Sequence, residues 1–365
     1  MFQLLSAIVF LAFTNDAISG VVLMRNLIVA ASVAAACLTS VTAFAADETT
    51  KVSGKAFIDF TNIDKSTNGT KVDGSGFGVD VTRFYVGIDH NFDDIWSANV
   101  TTDFQYASAI SATEVYIKKA YVQAKLDDAF VLRVGSSDLP WIPFVEDLYG
   151  FRYFEKVMTD RTGFGTSSDW GIHASGKFAD GMVNYAVSAV NGKGYKDPSR
   201  SKTMDLESRL SIVPVKGLTV GVGYRTGKLG AETQTNSAEN TASRADAVVA
   251  YVNSKFRIGA EYFTAKNYSA ALVQSATTTD KADGTSVWGS VNFTNMVGAF
   301  ARYEEVKPNK TTNTFAKNKY ATIGVNVIPR KNIDLAFAYK QTKLETSNTS
   351  STKTNEIGIW SQVKF

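Results

Sequence analysis

Polar and apolar side chains alternate along most of the chain, and the clearest example is its C-terminal end. The last segment places four apolar side chains on one face when it is extended: Ile357, Ile359, Val363 and Phe365. Glu356, Gln362 and Lys364 point the other way. A period of two predicts a β-strand, and an apolar exterior with a polar interior is the repeat of an outer-membrane barrel.

About sixteen alternating segments follow one another along the chain. They cover residues 52–61, 83–89, 98–105, 118–126, 130–135, 170–178, 182–190, 204–212, 218–225, 244–252, 256–264, 286–293, 297–304, 320–328, 333–340 and 356–365. Most exceed the usual strand length of about five or six residues and suit a tilted crossing of a bilayer. The pattern therefore predicts an all-β fold, a transmembrane antiparallel β-barrel of about 16 strands.

The connections between these segments alternate between short and long. The short ones have turn residues, as in Asp93-Asp94, Ala179-Asp180-Gly181 and Pro214-Val215-Lys216-Gly217. The long ones are polar and comprise residues 64–76, 107–113, 191–203, 228–243, 266–284, 307–317 and 345–354. Short turns are expected on the periplasmic rim and long loops on the extracellular rim.

One connection, residues 137–169, is rich in aromatic residues and differs from the rest. A loop of this composition is expected to pack against the inner wall and form the constriction, with a short helical turn over residues 146–158. Its charged candidates for the constriction are Asp138, Glu146, Asp147, Arg152, Glu155, Lys156, Asp160 and Arg161. An external plug or a contact between protomers is the alternative.

The N-terminal residues have the pattern of a targeting segment. Residues 24–45 read as a secretory signal, with Arg25, an apolar centre and a small-residue cleavage site near Ala45. Residues 1–23 are interpreted as an upstream extension, a longer leader being the alternative, and residues 46–365 as one barrel domain. The single cysteine, Cys37, lies in the signal, so no disulfide or cysteine-based site is expected.

Charge adds information about the inner wall. The net charge is +3 and basic residues form no dense run, so a nucleic-acid partner is not expected. Parity places both signs inside with a slight basic excess, and the basic candidates for the pore lining are Arg83, Lys119, Lys125, Arg133, Lys177, Arg209 and Arg302. Arg83, Lys119, Arg133 and Arg209 are expected nearest the narrowest region. Acids on the 137–169 segment would then create a transverse field.

Several pieces resemble the phosphate-selective porins of Gram-negative outer membranes. They are Thr82-Arg83-Phe84-Tyr85-Val86-Gly87-Ile88, Phe92-Asp93-Asp94-Ile95-Trp96-Ser97, Lys119-Ala120-Tyr121-Val122, Leu132-Arg133-Val134-Gly135 and Asp169-Trp170-Gly171-Ile172-His173. The resemblance implies a sixteen-stranded homotrimer for passive diffusion, with the third loop folded inward and pore-lining lysines and arginines that favour anions.

Together these patterns predict a porin for small hydrophilic solutes, with small anions or phosphate as candidate solutes. The expected partners are outer-membrane lipid, lipopolysaccharide and the barrel-assembly machinery, for which Trp360, Val363 and Phe365 would be the C-terminal signal. No catalytic residue, metal site or cofactor is expected. A channel specific for sugars or other small molecules, a secreted β-sandwich and a barrel-embedded hydrolase using His173 remain as alternatives.

Overall fold

The computed structural model describes residues 48–106 and 113–365, and in this part the chain forms a closed antiparallel barrel. The strands are β1 (Thr49–Thr67), β2 (Thr70–Lys71), β3 (Gly76–Asn91), β4 (Trp96–Tyr106), β5 (Thr113–Lys125), β6 (Val131–Asp138), β7 (Ser168–Phe178), β8 (Val183–Val190), β9 (Asp205–Val215), β10 (Leu218–Gly227), β11 (Ala242–Val252), β12 (Phe256–Lys266), β13 (Lys281–Asn292), β14 (Val297–Lys307), β15 (Lys317–Arg330), β16 (Ile333–Glu345) and β17 (Ser351–Lys364). Strand β2 has two residues and folds back on β1, so sixteen long strands build the wall and the predicted fold is confirmed.

The first and last strands close the barrel. Strand β1 pairs with β17 in antiparallel register from Lys55↔Lys364 to Thr67↔Thr352. The sequence-based interpretations of residues 1–23 and 24–45, and of most of loop 107–113, lie outside the described residues. Within the described residues, no helix has the length and the apolar character that crossing a membrane requires.

Burial along the strands is the inverse of that in a soluble protein. In β9, Asp205 and Glu207 are buried with 0% and 1% of their surface exposed, while Leu206 and Leu210 are 51% and 49% exposed. Charged side chains are almost never this buried in a water-soluble fold unless they are paired. The outer face is therefore apolar and the inner face holds the charges, as the alternation predicted.

The turns agree with the sequence in position, with one difference. Ala179, Asp180 and Gly181 all have positive φ, as a tight turn between β7 and β8 requires. Pro214, expected in a turn, instead lies in β9, which extends to Val215. Proline is tolerated there because it sits near the strand end, beside an irregularity in the pairing with β10.

The connection between β6 and β7, residues 139–167, contains two short helices where one helical turn was expected. Helix α1 (Ile142–Tyr149) ends at Gly150, whose φ of 83° and N–H bond to the Glu146 carbonyl terminate it. Helix α2 is Met158–Arg161, and a third helix, α3 (Ala270–Gln274), lies in a later loop. The 139–167 segment is thus an ordered element with its own secondary structure.

Aromatic side chains attach this segment to the polar face of the wall. Phe151 stacks on Phe300 of β14 with ring centroids 4.5 Å apart, and Phe154 meets Trp360 of β17 edge-on at 4.8 Å. Trp141 has no exposed surface. The aromatic rings of the segment were expected to be buried. Aromatic residues of the later strands cover them.

Candidate functional site

A β-bulge in β5 turns two consecutive lysines toward the same face of the wall. The pairing of β4 with β5 runs Thr101↔Lys119 and then Thr102↔Ile117, so Lys118 has no partner in the ladder. The extra residue interrupts the alternation, and a bulge of this kind re-aims a side chain. Lys118 and Lys119 both reach the charged inner face, whereas strict parity would send Lys118 to the apolar exterior.

Lys118 is one wall of a narrow cavity of about 120 Å³. The cavity is enclosed by strands β3 and β5, the 139–167 segment and the loop of residues 191–204. Six cationic side chains and one carboxylate line it: Arg83, Lys118, Arg152, Lys156, Lys193, Lys196 and Asp160. We call these six side chains the cation cluster.

The members of the cation cluster differ in their partners. Arg83 donates to Asp103 at 3.1 Å, Arg152 pairs with Glu146 at 2.6 Å and Lys156 pairs with Asp160 at 3.0 Å. Lys118 instead lies over the ring of Tyr85, with its Nζ 5.0 Å from the ring centre.

Lys118 thus differs from these three members, because its neighbour is a ring and not an acid. Within the part of the chain that the structure describes, no carboxylate lies within ion-pair distance of its ammonium group. The cluster consequently keeps an excess of positive charge at the narrow cavity.

Two larger cavities adjoin the narrow one and share lining residues with it. The loop-side cavity, about 570 Å³, shares Thr166 and Lys193 with the narrow cavity. The turn-side cavity, about 450 Å³, shares Tyr85, Lys118 and Arg152 and extends toward both chain ends. The three cavities follow each other from the long-loop rim to the short-turn rim, and the smallest one is at the cation cluster.

Hydrogen bonds from the wall hold the 139–167 segment in place along its length. Arg209 donates to the Pro140 carbonyl at 3.0 Å, and the indole of Trp141 donates to Glu261 at 3.0 Å. Further along, Arg302 donates to the Lys156 carbonyl at 2.6 Å and Arg161 pairs with Glu304 at 2.5 Å. These contacts come from strands β9 to β14, so the segment covers that half of the wall.

The basic residues predicted to line the pore fall into three places. Arg83 lines the narrow cavity and Lys119 the turn-side cavity, while Arg133 stacks on Tyr121 at 5.0 Å and bonds Gln123. Arg209 and Arg302 lie beneath the segment and hold its backbone. Lys125 and Lys177 both pair with Asp128 at the short-turn rim.

The acids of the segment are neutralised more than the sequence indicated. Glu146 pairs with Arg152, Glu155 lies 3.5 Å from Lys340, and Asp138 pairs with Lys119 at 2.5 Å. Burial raises the pKa of the Glu146 carboxyl, and the opposing effect of Arg152 does not cancel it. Because these acids are paired, the expected negative wall opposite the basic one is weakened. Asp147 contributes its backbone carbonyl, which accepts from Arg257 at 2.8 Å.

Sequence reasoning missed four residues of the site: Lys118, Lys193, Tyr195 and Lys196. The bulge hid Lys118, since nothing in the local alternation marks the extra residue. The other three belong to loop 191–204, which the sequence placed outside with the other long loops. Its run of Gly192, Lys193, Gly194, Tyr195 and Lys196, an aromatic residue between lysines and glycines, is the signal that could have singled it out.

His173, the candidate residue of the hydrolase alternative, contacts a hydroxyl and a backbone carbonyl. His173 contacts the Ser188 hydroxyl at 2.8 Å through Nδ1 and the Gly135 carbonyl at 3.2 Å through Nε2. A backbone carbonyl thus occupies the position where a hydrolase would need an acid to orient the imidazole.

The three residues predicted as the C-terminal signal do not share one face. Trp360 is buried on the inner face against Phe154, while Val363 pairs with Ala56. The terminal Phe365 exchanges backbone hydrogen bonds with Gly54, at 2.7 and 3.0 Å. Their role in assembly stays a prediction.

Comparison with known families supports the resemblance drawn from the sequence. The family model of the phosphate-selective porins O and P matches residues 50–143, which include Arg83, Lys118 and Lys119. The resemblance is therefore confirmed over β1 to β6 and the start of α1, and the match does not extend to Asp169–His173 or to loop 191–204. No curated protein sequence matches the chain.

Solved structures with the same fold are outer-membrane proteins. The outer-membrane channel DcaP of Acinetobacter baumannii is 13% identical, with a TM-score of 0.65 over 88% of this chain and 99% of that one. An anion-selective porin of Comamonas acidovorans is 11% identical, with a TM-score of 0.63 over 87% and 100%. A trimer form of OmpT of Vibrio cholerae is 14% identical, with a TM-score of 0.57 over 87% and 100%.

Proposed function

We propose that this outer-membrane β-barrel, which is similar to the phosphate-selective porins, is a passive channel for small hydrophilic solutes that favours small anions, phosphate among them. The 139–167 segment lies in the lumen and forms its constriction. The observation that carries the anion preference is the narrow cavity, where six cations face one carboxylate. Low-dielectric walls focus the field of such an excess and raise the local concentration of anions.

The preference is weak because most of the cluster is neutralised. Arg83, Arg152, Lys156 and Lys193 each pair with an acid, and the acid opposes the field of its cation. We therefore expect a channel that discriminates by charge and size and does not bind one solute tightly. We propose that three copies assemble as a homotrimer, since the similar OmpT of Vibrio cholerae has a trimer form.

Reversal potentials in planar lipid bilayers test this function. The purified mature protein, placed in a KCl gradient, should show stepwise conductance with chloride more permeant than potassium, and phosphate should reduce the chloride current. The preference should be larger at ~0.1 M salt than at ~1 M, since the Debye length falls from about 10 Å to about 3 Å. A channel that prefers potassium would contradict the proposal.

A channel specific for sugars or other small molecules is the second candidate. The loop-side cavity of about 570 Å³ has amide and hydroxyl side chains, including Asn236, Thr233 and Gln274, that could bind a neutral polar solute. Liposome swelling with neutral sugars and with size-matched organic anions separates the two. Faster swelling with anions supports the charge-selective channel, whereas saturable uptake of one sugar supports the alternative.

A further inference from the structure

The loop of residues 191–204, between β8 and β9, is folded down onto the barrel mouth. Gly192 and Gly194 have φ values of 103° and 82°, which L-residues with side chains rarely adopt. The Gly192 N–H donates to Asp169 at 3.0 Å, and its carbonyl accepts from Arg225 at 3.0 Å. A Cβ at Gly192 would meet the backbone nitrogen of Gly230 at 2.4 Å, so the close approach requires glycine.

Tyr195 connects this loop to the wall beside the cation cluster. Its hydroxyl donates to Oδ2 of the buried Asp103 of β4 at 2.7 Å. Arg83 donates to this same Asp103 oxygen at 3.1 Å. Its backbone is held on both sides, because its N–H donates to the Ser168 carbonyl and its carbonyl accepts from the Trp170 indole. Tyr195 is buried, so its ring is fixed in position.

The two lysines that flank Tyr195 are thereby held over the narrow cavity. Lys196 lies over the ring of Tyr116, with its Nζ 4.5 Å from the ring centre. Lys193 lines both the loop-side cavity and the narrow cavity, and it pairs with the exposed Asp197 at 3.3 Å. A solute that moves between these two cavities therefore passes Lys193.

We propose that loop 191–204 is a second selectivity element, in which Lys193 and Lys196 attract small anions on the extracellular side of the narrow cavity and Tyr195 is their positioning residue. The inference rests on the proposed function. It adds a contribution to anion selectivity from a loop that lies outside both the 139–167 segment and residues 50–143, which match the family model. Because the lysines lie on the loop side of the cavity, they act mainly on anions that enter from that side.

The chain offers a matched control in the same loop. Replacing Lys193 and Lys196 with glutamine removes two charges that line the narrow cavity. Replacing Arg200 and Lys202 with glutamine removes the same charge from exposed positions that line none of the three cavities described above. K193Q/K196Q should lower the chloride-to-potassium permeability ratio several-fold, whereas R200Q/K202Q should leave it close to the wild-type value.

The side dependence provides a further readout. With protein inserted in one orientation, K193Q/K196Q should reduce chloride current more when the anion enters from the long-loop side. Equal effects of the two double variants, or no effect of K193Q/K196Q in an anion-selective channel, would overturn the inference and leave the proposed function intact. A wild-type channel without anion preference would instead remove the proposed function itself.

The role of Tyr195 is tested by coupling. In a Y195A background the lysines lose their fixed position, so K193Q/K196Q should add little further change in the permeability ratio, whereas additive effects would exclude positioning by Tyr195. Y195F, which keeps the ring, should lie between the wild type and Y195A. Heat-modifiable migration in detergent gels verifies that each variant forms a folded barrel before it is measured.

Discussion

Lys118 and Lys119 are neighbours in one strand, yet both side chains lie on the inner face of the wall. The bulge in the pairing of β4 with β5 produces this arrangement. The two lysines have different electrostatic surroundings, because Lys119 is paired with Asp138 at 2.5 Å while Lys118 lies over Tyr85. One bulge therefore supplies a neutralised cation and a cation without a matching carboxylate to the same region.

The first prediction is that K118Q weakens the anion preference more than K119Q/D138N, a double variant that leaves the net charge unchanged. K118Q removes a charge that lines both the narrow and the turn-side cavities, so the chloride-to-potassium permeability ratio should fall several-fold. K119Q/D138N removes both members of an ion pair and keeps the net charge, so its ratio should stay near the wild-type value. The opposite order in bilayer reversal potentials would contradict this reading of the site.

The second prediction concerns the aromatic attachment of the 139–167 segment. F151A removes the ring that stacks on Phe300 at 4.5 Å, a change that in a packed core costs about 3–5 kcal/mol. The segment should loosen, so single-channel conductance should increase and the segment should become sensitive to protease. F293A, at an exposed turn-side position, is the control and should change neither quantity. Unchanged conductance in F151A would separate the segment from the constriction.

Much of this architecture was predictable because alternation is a local property. Each strand such as β9 records in its own residues which side faces lipid, so the strand count and the inner charges could be predicted from period two. The aromatic content of the 139–167 segment likewise requires burial wherever the segment packs. These features need no knowledge of distant partners.

The parts that could not be predicted depend on contacts between distant residues. Lys118 turns inward because of a register shift against β4, which the sequence of β5 alone does not record. Tyr195 holds loop 191–204 through Asp103, which lies 92 residues earlier in the chain. Likewise, Glu155 is neutralised by Lys340 of β16, so the charge of the segment could not be assigned from its composition.

A third prediction concerns Trp141, whose indole is the partner of a buried acid. Glu261 accepts from Trp141 at 3.0 Å with one oxygen, and its other oxygen has no partner among the described residues. W141F leaves the carboxyl without its donor, so the free energy of unfolding should fall by about 1–3 kcal/mol.

The penalty should be smaller in an E261M background, because methionine removes the carboxylate that accepts from the indole. Denaturant unfolding in lipid vesicles measures all three variants, with W96F at an exposed position as the control. Equal losses for W141F in both backgrounds would mean that its packing, and not this hydrogen bond, stabilises the barrel.

The last prediction is a pH dependence that originates from Glu146. Burial raises the pKa of this carboxyl, so it takes up a proton at a higher pH than an exposed glutamate, whose pKa is about 4.3. Protonation removes the negative partner of Arg152, which lines the narrow cavity, and the cation cluster becomes more positive. The chloride-to-potassium permeability ratio should therefore increase as the pH is lowered from about 7 to about 5.

The E146Q variant isolates this group from the other acids of the channel. Because glutamine is neutral at every pH, E146Q should have at neutral pH the higher ratio that the wild type reaches only in acid. Its remaining pH dependence should be flatter, whereas D128N should keep the wild-type profile, because the pairing of Asp128 with Lys125 and Lys177 lowers the pKa of its carboxyl, which stays charged over this range. If the permeability ratio changes with pH equally steeply in E146Q and in the wild type, another carboxyl causes the pH dependence. Glu146 then remains ionised and paired with Arg152.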